Sequence, residues 1–160
     1  MYRIGFSRDI HRLEENGKPF ILGGVNIPFT KGNVAHSDGD CLYHAVAESL
    51  LGALALGDLG HFFPDTDDKY LGFDSSIIVK ESYRMVKERG YIVNNIDCIV
   101  ILERPHLQKH LAKIQENIAT LLETDISNVS VKAQTNEKCG EVGNNEAVVC
   151  FANVLLRKDV

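Results

Sequence analysis

Apolar residues recur along this chain with two distinct periods. From Leu42 they fall at Leu42, Val46, Leu50 and Leu54, the spacing of one buried helical face, which predicts a helix from about Gly39 to Leu56 that ends near Gly57. A second helix is expected to start at Asp74, a good cap before Ser75-Ser76, and to stop at Gly90. Leu107, Leu111, Ile114, Ile118, Leu121 and Leu122 form the clearest helical stripe. The other period is that of strands. Tyr2 to His11 reads as a first strand, and a polar turn through Glu14 to Lys18 leads to a small hairpin over Phe20 to Pro28 with Gly23-Gly24 at its tip. Tyr91 to Leu102 is a strand whose Cys98–Leu102 end is apolar on both faces, hence central in a sheet, and Pro105 ends it. Val129, Val131 and Ala133 alternate with Ser130 and Lys132, and Ala147 to Leu156 closes the chain as another buried strand. Three stretches read as loops: Phe29 to Ser37, the Gly-, Pro- and Asp-rich run from Asp58 to Asp68, and Gln134 to Asn145.

This order of elements predicts an α+β fold, a two-layer sandwich with helices packed on one face of a mixed β-sheet plus a small β-hairpin. At 160 residues, 44% of them hydrophobic, the chain is expected to be a single domain, 1–160, with a sizeable core. No apolar run approaches membrane-spanning length and no signal core opens the sequence. The expected location is the bacterial cytoplasm, or an organelle after loss of a transit peptide. Cys41, Cys98, Cys139 and Cys150 are scattered without a C-x-x-C pair and read as reduced, mostly buried thiols. The net charge of -5, with no basic tract, argues against nucleic acid or an anionic membrane as partner. It also means that a phosphate ester substrate would need metal ions to offset the charge.

The chemistry concentrates in two clusters. Asp9-Ile10-His11 lies in the first strand, where residues two apart share a face, so Asp9 and His11 point the same way. His36-Ser-Asp-Gly-Asp-Cys-Leu-Tyr-His44 is a loop entering a helix, with Asp38 placed to cap the first amides, Gly39 allowing the tight entry and His44 one turn in. One carboxylate and two imidazoles are a set that zinc accepts, and a fourth position left open is the mark of a catalytic site. Asp40, four residues before His44, is expected to accept a hydrogen bond from the free ring nitrogen of His44. Taken singly, each element has a plainer explanation: a helical histidine is more often packed than metal-bound, and a D-x-H pair is common by chance.

Four motifs in register change that balance. Asp9-Ile-His11, His36-Ser-Asp-Gly-Asp with His44, Gly57-Asp-Leu-Gly followed by Phe63-Pro-Asp-Thr-Asp67, and Lys132-Ala-Gln-Thr-Asn-Glu-Lys138 stand in the order seen in the 2-C-methyl-D-erythritol 2,4-cyclodiphosphate synthase family, which the chain resembles over nearly its whole length. The resemblance implies an enzyme of non-mevalonate isoprenoid precursor synthesis, a cyclising, CMP-releasing lyase. Its substrate would be 4-diphosphocytidyl-2-C-methyl-D-erythritol 2-phosphate. By the same resemblance Asp9, His11 and His44 match the Zn2+ ligands, and Glu137 matches the residue that reaches a second divalent ion, Mg2+ or Mn2+. His36 and Thr135 match the positions that stabilise the transition state. Asp58, Leu59, Gly60 and Phe63, Pro64, Asp65, Thr66, Asp67 match the erythritol-binding loops, and Asp9, Ile10, His11, His36 and Ser37 also match substrate-binding positions. Leu102, Glu103, Arg104, Pro105, His106, Leu107 and Gln108, with Gln134, match the cytidine pocket, which the family builds at a subunit boundary of a homotrimer, and Ala133, Thr135, Asn136 and Glu137 match further substrate-binding positions.

The chemistry of the reaction agrees with these residue types. A phosphate already ionised and tethered to its target needs no side-chain nucleophile, so positioning and charge stabilisation remain for the protein to supply. Some positions depart from the family pattern. Ser7-Arg8 stand where a glycine and an aromatic are commoner, so Arg8 is expected on the opposite face of the strand, and Gln134 stands where threonine is frequent. Glu141 and Asn144 replace an apolar ring and an arginine of a trimer-axis pocket thought to accept isoprenoid diphosphates, which predicts little regulation by such products. Two alternatives compete. A zinc hydrolase would need a base beside the metal-bound water, and no H-E-x-x-H motif is present. A trimeric module with a structural zinc would want four protein ligands, usually cysteines, and the thiols lie outside the motifs.

Overall fold

A computed structural model describes residues 1–160. Its first strand, β1 (Tyr2–Glu14), runs three residues past the expected end because Arg12, Leu13 and Glu14 pair with a short strand, β4 (Gly32–Val34), inside the segment expected to be loop. Gly-Asn-Val has no alternation of its own, and pairing with β1 makes it a strand. Between them β2 (Ile21–Leu22) and β3 (Val25–Asn26) form the predicted hairpin. Gly23 and Gly24 at its tip both have positive φ, the turn geometry that glycine adopts without strain.

The remaining strands are β5 (Tyr91–Ile101), β6 (Val129–Gln134) and β7 (Ala147–Lys158), and the sheet order is β4-β1-β7-β5-β6. Only β5 and β6 are parallel, so the sheet is mixed, as expected. β5 is internal, but its alternate residues Ile99 and Ile101 are only half-buried, so one face of the strand is less covered than its apolar sequence implied.

Helices α1 (Cys41–Ala53), α3 (Ser75–Glu88) and α4 (Leu111–Leu121) lie on one face of this sheet. One cluster of 34 buried residues fills the space between, so sheet and helices share a single core. Two single-turn helices, α2 (Leu59–Phe62) and α5 (Gly140–Gly143), stand in stretches expected to be loop. α2 exists because the Asp58 carboxylate accepts the His61 N–H, giving one turn before Pro64. Cys41, Cys98 and Cys150 are buried, and Cys139 is exposed. No helix is long and apolar enough to cross a membrane.

β1 divides the two faces cleanly. Gly5, Ser7, Asp9, His11 and Leu13 face the helices, while Ile4 (74% exposed), Phe6 (62%) and Ile10 (45%) face away with Arg8 among them, as expected. α1 crosses β1 so closely that a Cβ on Gly5 would stand 1.9 Å from the Ser49 carbonyl oxygen, a backbone atom that cannot swing aside. We expect Gly5→Ala to cost at least the ~3 kcal/mol upper end of ordinary overpacking. The check is the urea midpoint; an unchanged midpoint contradicts the helix-on-strand contact.

Candidate active site

The β1 face that meets α1 carries two of the three converging side chains, and the first turn of α1 supplies the third. Asp9 Oδ2 lies 2.9 Å from His11 Nε2 and 3.4 Å from His44 Nδ1, and the two ring nitrogens are 3.3 Å apart. Each ring is turned by a partner on its other nitrogen. His11 Nδ1 lies 2.8 Å from the Gly39 carbonyl, which makes Nδ1 the donor and leaves the Nε2 lone pair free. His44 Nε2 lies 2.9 Å from Ser75 Oγ and 3.2 Å from Ser37 Oγ, so its Nδ1 is the nitrogen left facing Asp9 and His11. The three ligand atoms lie within 4.8 Å of one another.

They open into a cleft of about 370 Å³. Of the residues expected to bind substrate, His36, Ser37, Leu59, Gly60, Phe63 and Asp65 line it together with the three above. Asp58, Pro64, Thr66 and Asp67 stand beside the lining in the same loop and turn; Asp67 offers its carbonyl to His36 Nε2 at 3.2 Å. Ile10 lies between the two strand ligands, but its side chain is on the far face of the sheet. The His36 loop is clamped from two sides. Gly72 N–H donates to the His36 carbonyl at 2.8 Å, and the Lys18 ammonium donates to the carbonyls of His36 and Ser37 at 3.2 and 2.5 Å.

Two aspartates do not take the roles expected of them. Asp40, not Asp38, is the N-cap of α1, accepting from Tyr43 N–H at 3.0 Å. Its two oxygens also take the Gly23 and Gly24 amides at 2.9 and 2.7 Å, so it has no oxygen turned to the His44 ring. The hairpin tip presents two amides that point inward, and the fully buried Asp40 is the acceptor within reach. Asp38 instead accepts from the backbone of Asp40 and of Ser75. Residues missed from sequence include Ser75 and Glu48, whose oxygens take the Ser7 hydroxyl at 2.8 Å and the Leu59 amide at 3.2 Å. Glu48 had a signal, since it follows His44 by four positions on the same helical face. Ser75 had none; its approach is long-range.

The residues expected at the cytidine diphosphate side gather elsewhere. Leu102 N–H donates to the Gln134 carbonyl at 2.9 Å and Asn136 N–H to Glu103 at 3.0 Å, joining the end of β5 to the end of β6. Pro105, His106 and Gln108 line a cleft of their own with Pro28. Register places Asp9 beside Cys150, Cys150 beside Val100 and Val100 beside Ala133, three strands away. At about 4.8 Å per strand, Ala133 lies roughly 14 Å from Asp9. Thr135, Asn136 and Glu137 continue from there. Glu137 and Lys138 both adopt positive φ (51° and 59°), a conformation that costs non-glycine residues about 1–3 kcal/mol and gathers at ligand sites. Glu141 lies on α5 and lines an open pocket with Ile10, Arg12, Glu14 and Glu146, and Asn144 ends that helix.

The YgbB family model matches residues 2–157. The chain belongs to the YgbB family. It is 49% identical over 158 residues to the 2-C-methyl-D-erythritol 2,4-cyclodiphosphate synthase of Carboxydothermus hydrogenoformans, covering 99% of this chain and 96% of that protein. The synthase of the same name from Vibrio cholerae is 48% identical, with 99% of each chain covered. Among solved structures, the Plasmodium falciparum IspF in complex with CDP superposes with a TM-score of 0.88 at 35% identity, covering 99% of this chain and 97% of that one. The bifunctional IspDF of Campylobacter jejuni gives a TM-score of 0.94 at 39% identity over 99% of this chain, which corresponds to only 42% of that longer protein. The family expected from the four motifs is thus the YgbB family found. In this YgbB chain the donor set itself fits a metal ion. Asp9 Oδ2 is buried without an aligned hydrogen-bond donor, although two imidazoles stand close by. An oxygen and two nitrogen lone pairs facing one point are what a borderline cation takes.

Proposed function

We propose that the chain converts 4-diphosphocytidyl-2-C-methyl-D-erythritol 2-phosphate to 2-C-methyl-D-erythritol 2,4-cyclodiphosphate and CMP, with Zn2+ held by Asp9, His11 and His44. One observation carries it: in a chain 49% identical over its length to a named synthase, the three ligand atoms converge in a cleft lined by His36 and Ser37. An oxygen of the 2-phosphate forms a bond to the β-phosphorus while the bond from that phosphorus to the CMP oxygen breaks, and CMP departs with the electron pair. Zinc held by Asp9, His11 and His44 would supply Lewis-acid polarisation of a phosphate oxygen, and Mg2+ or Mn2+ held by Glu137 would offset phosphate charge. The chain does the positioning. His36 and Thr135 offer donors toward the oxygens on which charge grows, and Lys18 fixes the His36 loop from below.

We also propose a homotrimer of single-domain chains, each domain spanning 1–160. Two observations support it. The ends of β5 and β6, which carry the cytidine-side residues, lie roughly 10 and 14 Å across the sheet from Asp9, a separation that favours a site completed by a second copy. The sheet face bearing Ile4 and Phe6 is apolar and uncovered, as expected of a surface that meets another copy. The proposed location is the bacterial cytoplasm, or an organelle after loss of a transit peptide, with no nucleic acid or membrane partner; the similarity to bacterial synthases and the net charge of -5 support that reading. Incubation with the cytidyl substrate, followed by phosphorus NMR, should show CMP and one cyclic diphosphate with two mutually coupled phosphorus signals. Release of inorganic phosphate with no cyclic product would establish a hydrolase instead.

The same site predicts a pH dependence. In the metal-free protein burial opposes charge on both groups, yet the two imidazoles hold the Asp9 carboxyl well below the usual carboxylate range, and Asp9 raises the His11 ring above its usual value. The Asp9 contribution to stability is present above a pKa of about 3.9 and is lost as pH falls toward the depressed value. The His11 contribution is present below about 6.5 and is lost as pH rises through the raised value. Zinc needs His11 neutral and so competes better as pH rises. The rise in Tm on adding zinc should therefore grow between about pH 5.5 and 8; a rise that shrinks over that range contradicts His11 as a ligand.

A further inference from the structure

The ring of His44 is held from behind by a group that none of the four motifs contains. His44 Nε2 has two hydroxyl neighbours, Ser75 Oγ at 2.9 Å and Ser37 Oγ at 3.2 Å. The two are not equivalent. Ser75 is fully buried at the start of α3, and its hydroxyl donates to Asp38 Oδ1. With its proton committed to Asp38, Ser75 Oγ turns a lone pair to the imidazole and can only accept there. Asp38 is itself fixed, taking the Asp40 N–H at 3.0 Å on one oxygen and the Ser75 N–H at 3.0 Å on the other. Ser37 sits on the cleft wall in the loop proposed to meet substrate, and its hydroxyl also accepts the Gly39 N–H at 3.3 Å. A substrate oxygen competes for Ser37 and cannot reach Ser75.

We propose that Ser75, backed by Asp38, is the positioning residue of the metal site. The Asp38–Ser75–His44 relay fixes the Nε2–H tautomer of His44, points its Nδ1 lone pair at the metal, and passes carboxylate character to the ligand through a hydroxyl. It rests on the zinc site proposed above. Partners of this kind behind a ligating histidine raise its basicity and fix its orientation. The relay also accounts for the place of α3: Asp74 caps this helix by accepting the Ser76 N–H at 2.8 Å, which leaves the Asp38 carboxylate for Ser75.

The test is zinc affinity by chelator competition, with the visible absorption of the Co2+-loaded protein as a reading of ligand geometry. Ser82→Ala is the control, because Ser82 is fully buried on the same helix with an unpartnered hydroxyl, so it matches the loss of a buried hydroxyl without touching the relay. Ser75→Ala should weaken zinc binding about 10–100-fold and shift the Co2+ bands, while Ser82→Ala leaves both as in the wild type. Asp38→Asn, which keeps an oxygen for Ser75 but removes the charge, should shift both in the same direction and serves if Ser75→Ala does not fold. The relay is overturned if Ser75→Ala binds zinc like the wild type, or if Ser37→Ala alone carries the loss. A wild-type protein that binds no zinc at one per chain removes the site and the relay together, a result distinct from the first two.

Discussion

Replacing His44 by alanine is expected to abolish zinc binding and CMP formation while leaving the chain folded. His44 contributes one of three lone pairs converging within 4.8 Å, and the remaining Asp9 and His11 offer only two, too few to hold the ion against water. Folding is a separate matter. The ring lies at the cleft wall, and its bonds to Ser75 and Ser37 are worth about 1 kcal/mol each. The loss in CMP formation should exceed the ~10³-fold that follows removal of one oxyanion-hole donor, because a dication and its polarised oxygen go together. Zinc per chain by elemental analysis, CMP by chromatography and the far-UV melting curve separate the three effects. A structural zinc would show the reverse pattern, with the melt collapsing along with the metal. Retention of one zinc per chain in His44→Ala would remove the residue from the ligand set.

Asp40→Ala should do the opposite, striking the fold rather than the chemistry. The Asp40 carboxylate is completely buried and serves three amides, those of Tyr43, Gly23 and Gly24. It joins the tip of the β2–β3 hairpin to the start of α1, which carries His44. Burial drives its pKa up against the pull of those amides, so its bonds are the reason a carboxyl group stands there at all. Loss of an N-cap costs about 0.5–2 kcal/mol, and each buried donor left without an acceptor adds about 1–3 kcal/mol. The sum approaches the whole stability of an ordinary domain, about 5–15 kcal/mol. Asp40→Ala should accumulate as insoluble or unfolded protein, and Asp40→Asn, which keeps one acceptor, should fold with a clearly lower urea midpoint. Because Asp40 turns no oxygen to the His44 ring, the folded Asp40→Asn protein should bind zinc with wild-type affinity. A stable Asp40→Ala protein contradicts the buried-cap account.

How much of this was legible in the chain depends on the range of the cause. The long elements were, because burial on one face imposes a period on the sequence: the Leu42, Val46, Leu50 stripe became α1, and the odd and even positions of β1 face opposite sides of the sheet. So were Asp9 and His11, since a spacing of two in a strand fixes their common direction. The short elements were not. Gly32–Val34 is a strand only because Arg12 to Glu14 offers it hydrogen bonds, and Leu59–Phe62 turns only because Asp58 caps it. Asp38 and Asp40 have the same local chemistry two residues apart; the hairpin amides, 16 and 17 residues away in the chain, decide which is the cap. Ser75 meets His44 across 31 residues of chain, a contact that no local pattern encodes. The Leu102–Gln134 bond brings together the ends of β5 and β6 that carry the expected cytidine-side residues, but their place two and three strands from Asp9 follows from sheet order alone.

The most direct measurement is anomalous diffraction at the zinc absorption edge from crystals of protein purified without chelator. The account predicts one strong peak per chain, at about 2.0–2.2 Å from Asp9 Oδ2, His11 Nε2 and His44 Nδ1, with a fourth position taken by water or a phosphate oxygen. A peak closed by four protein ligands that include Cys41 or Cys139, or no peak between these three side chains, would contradict it.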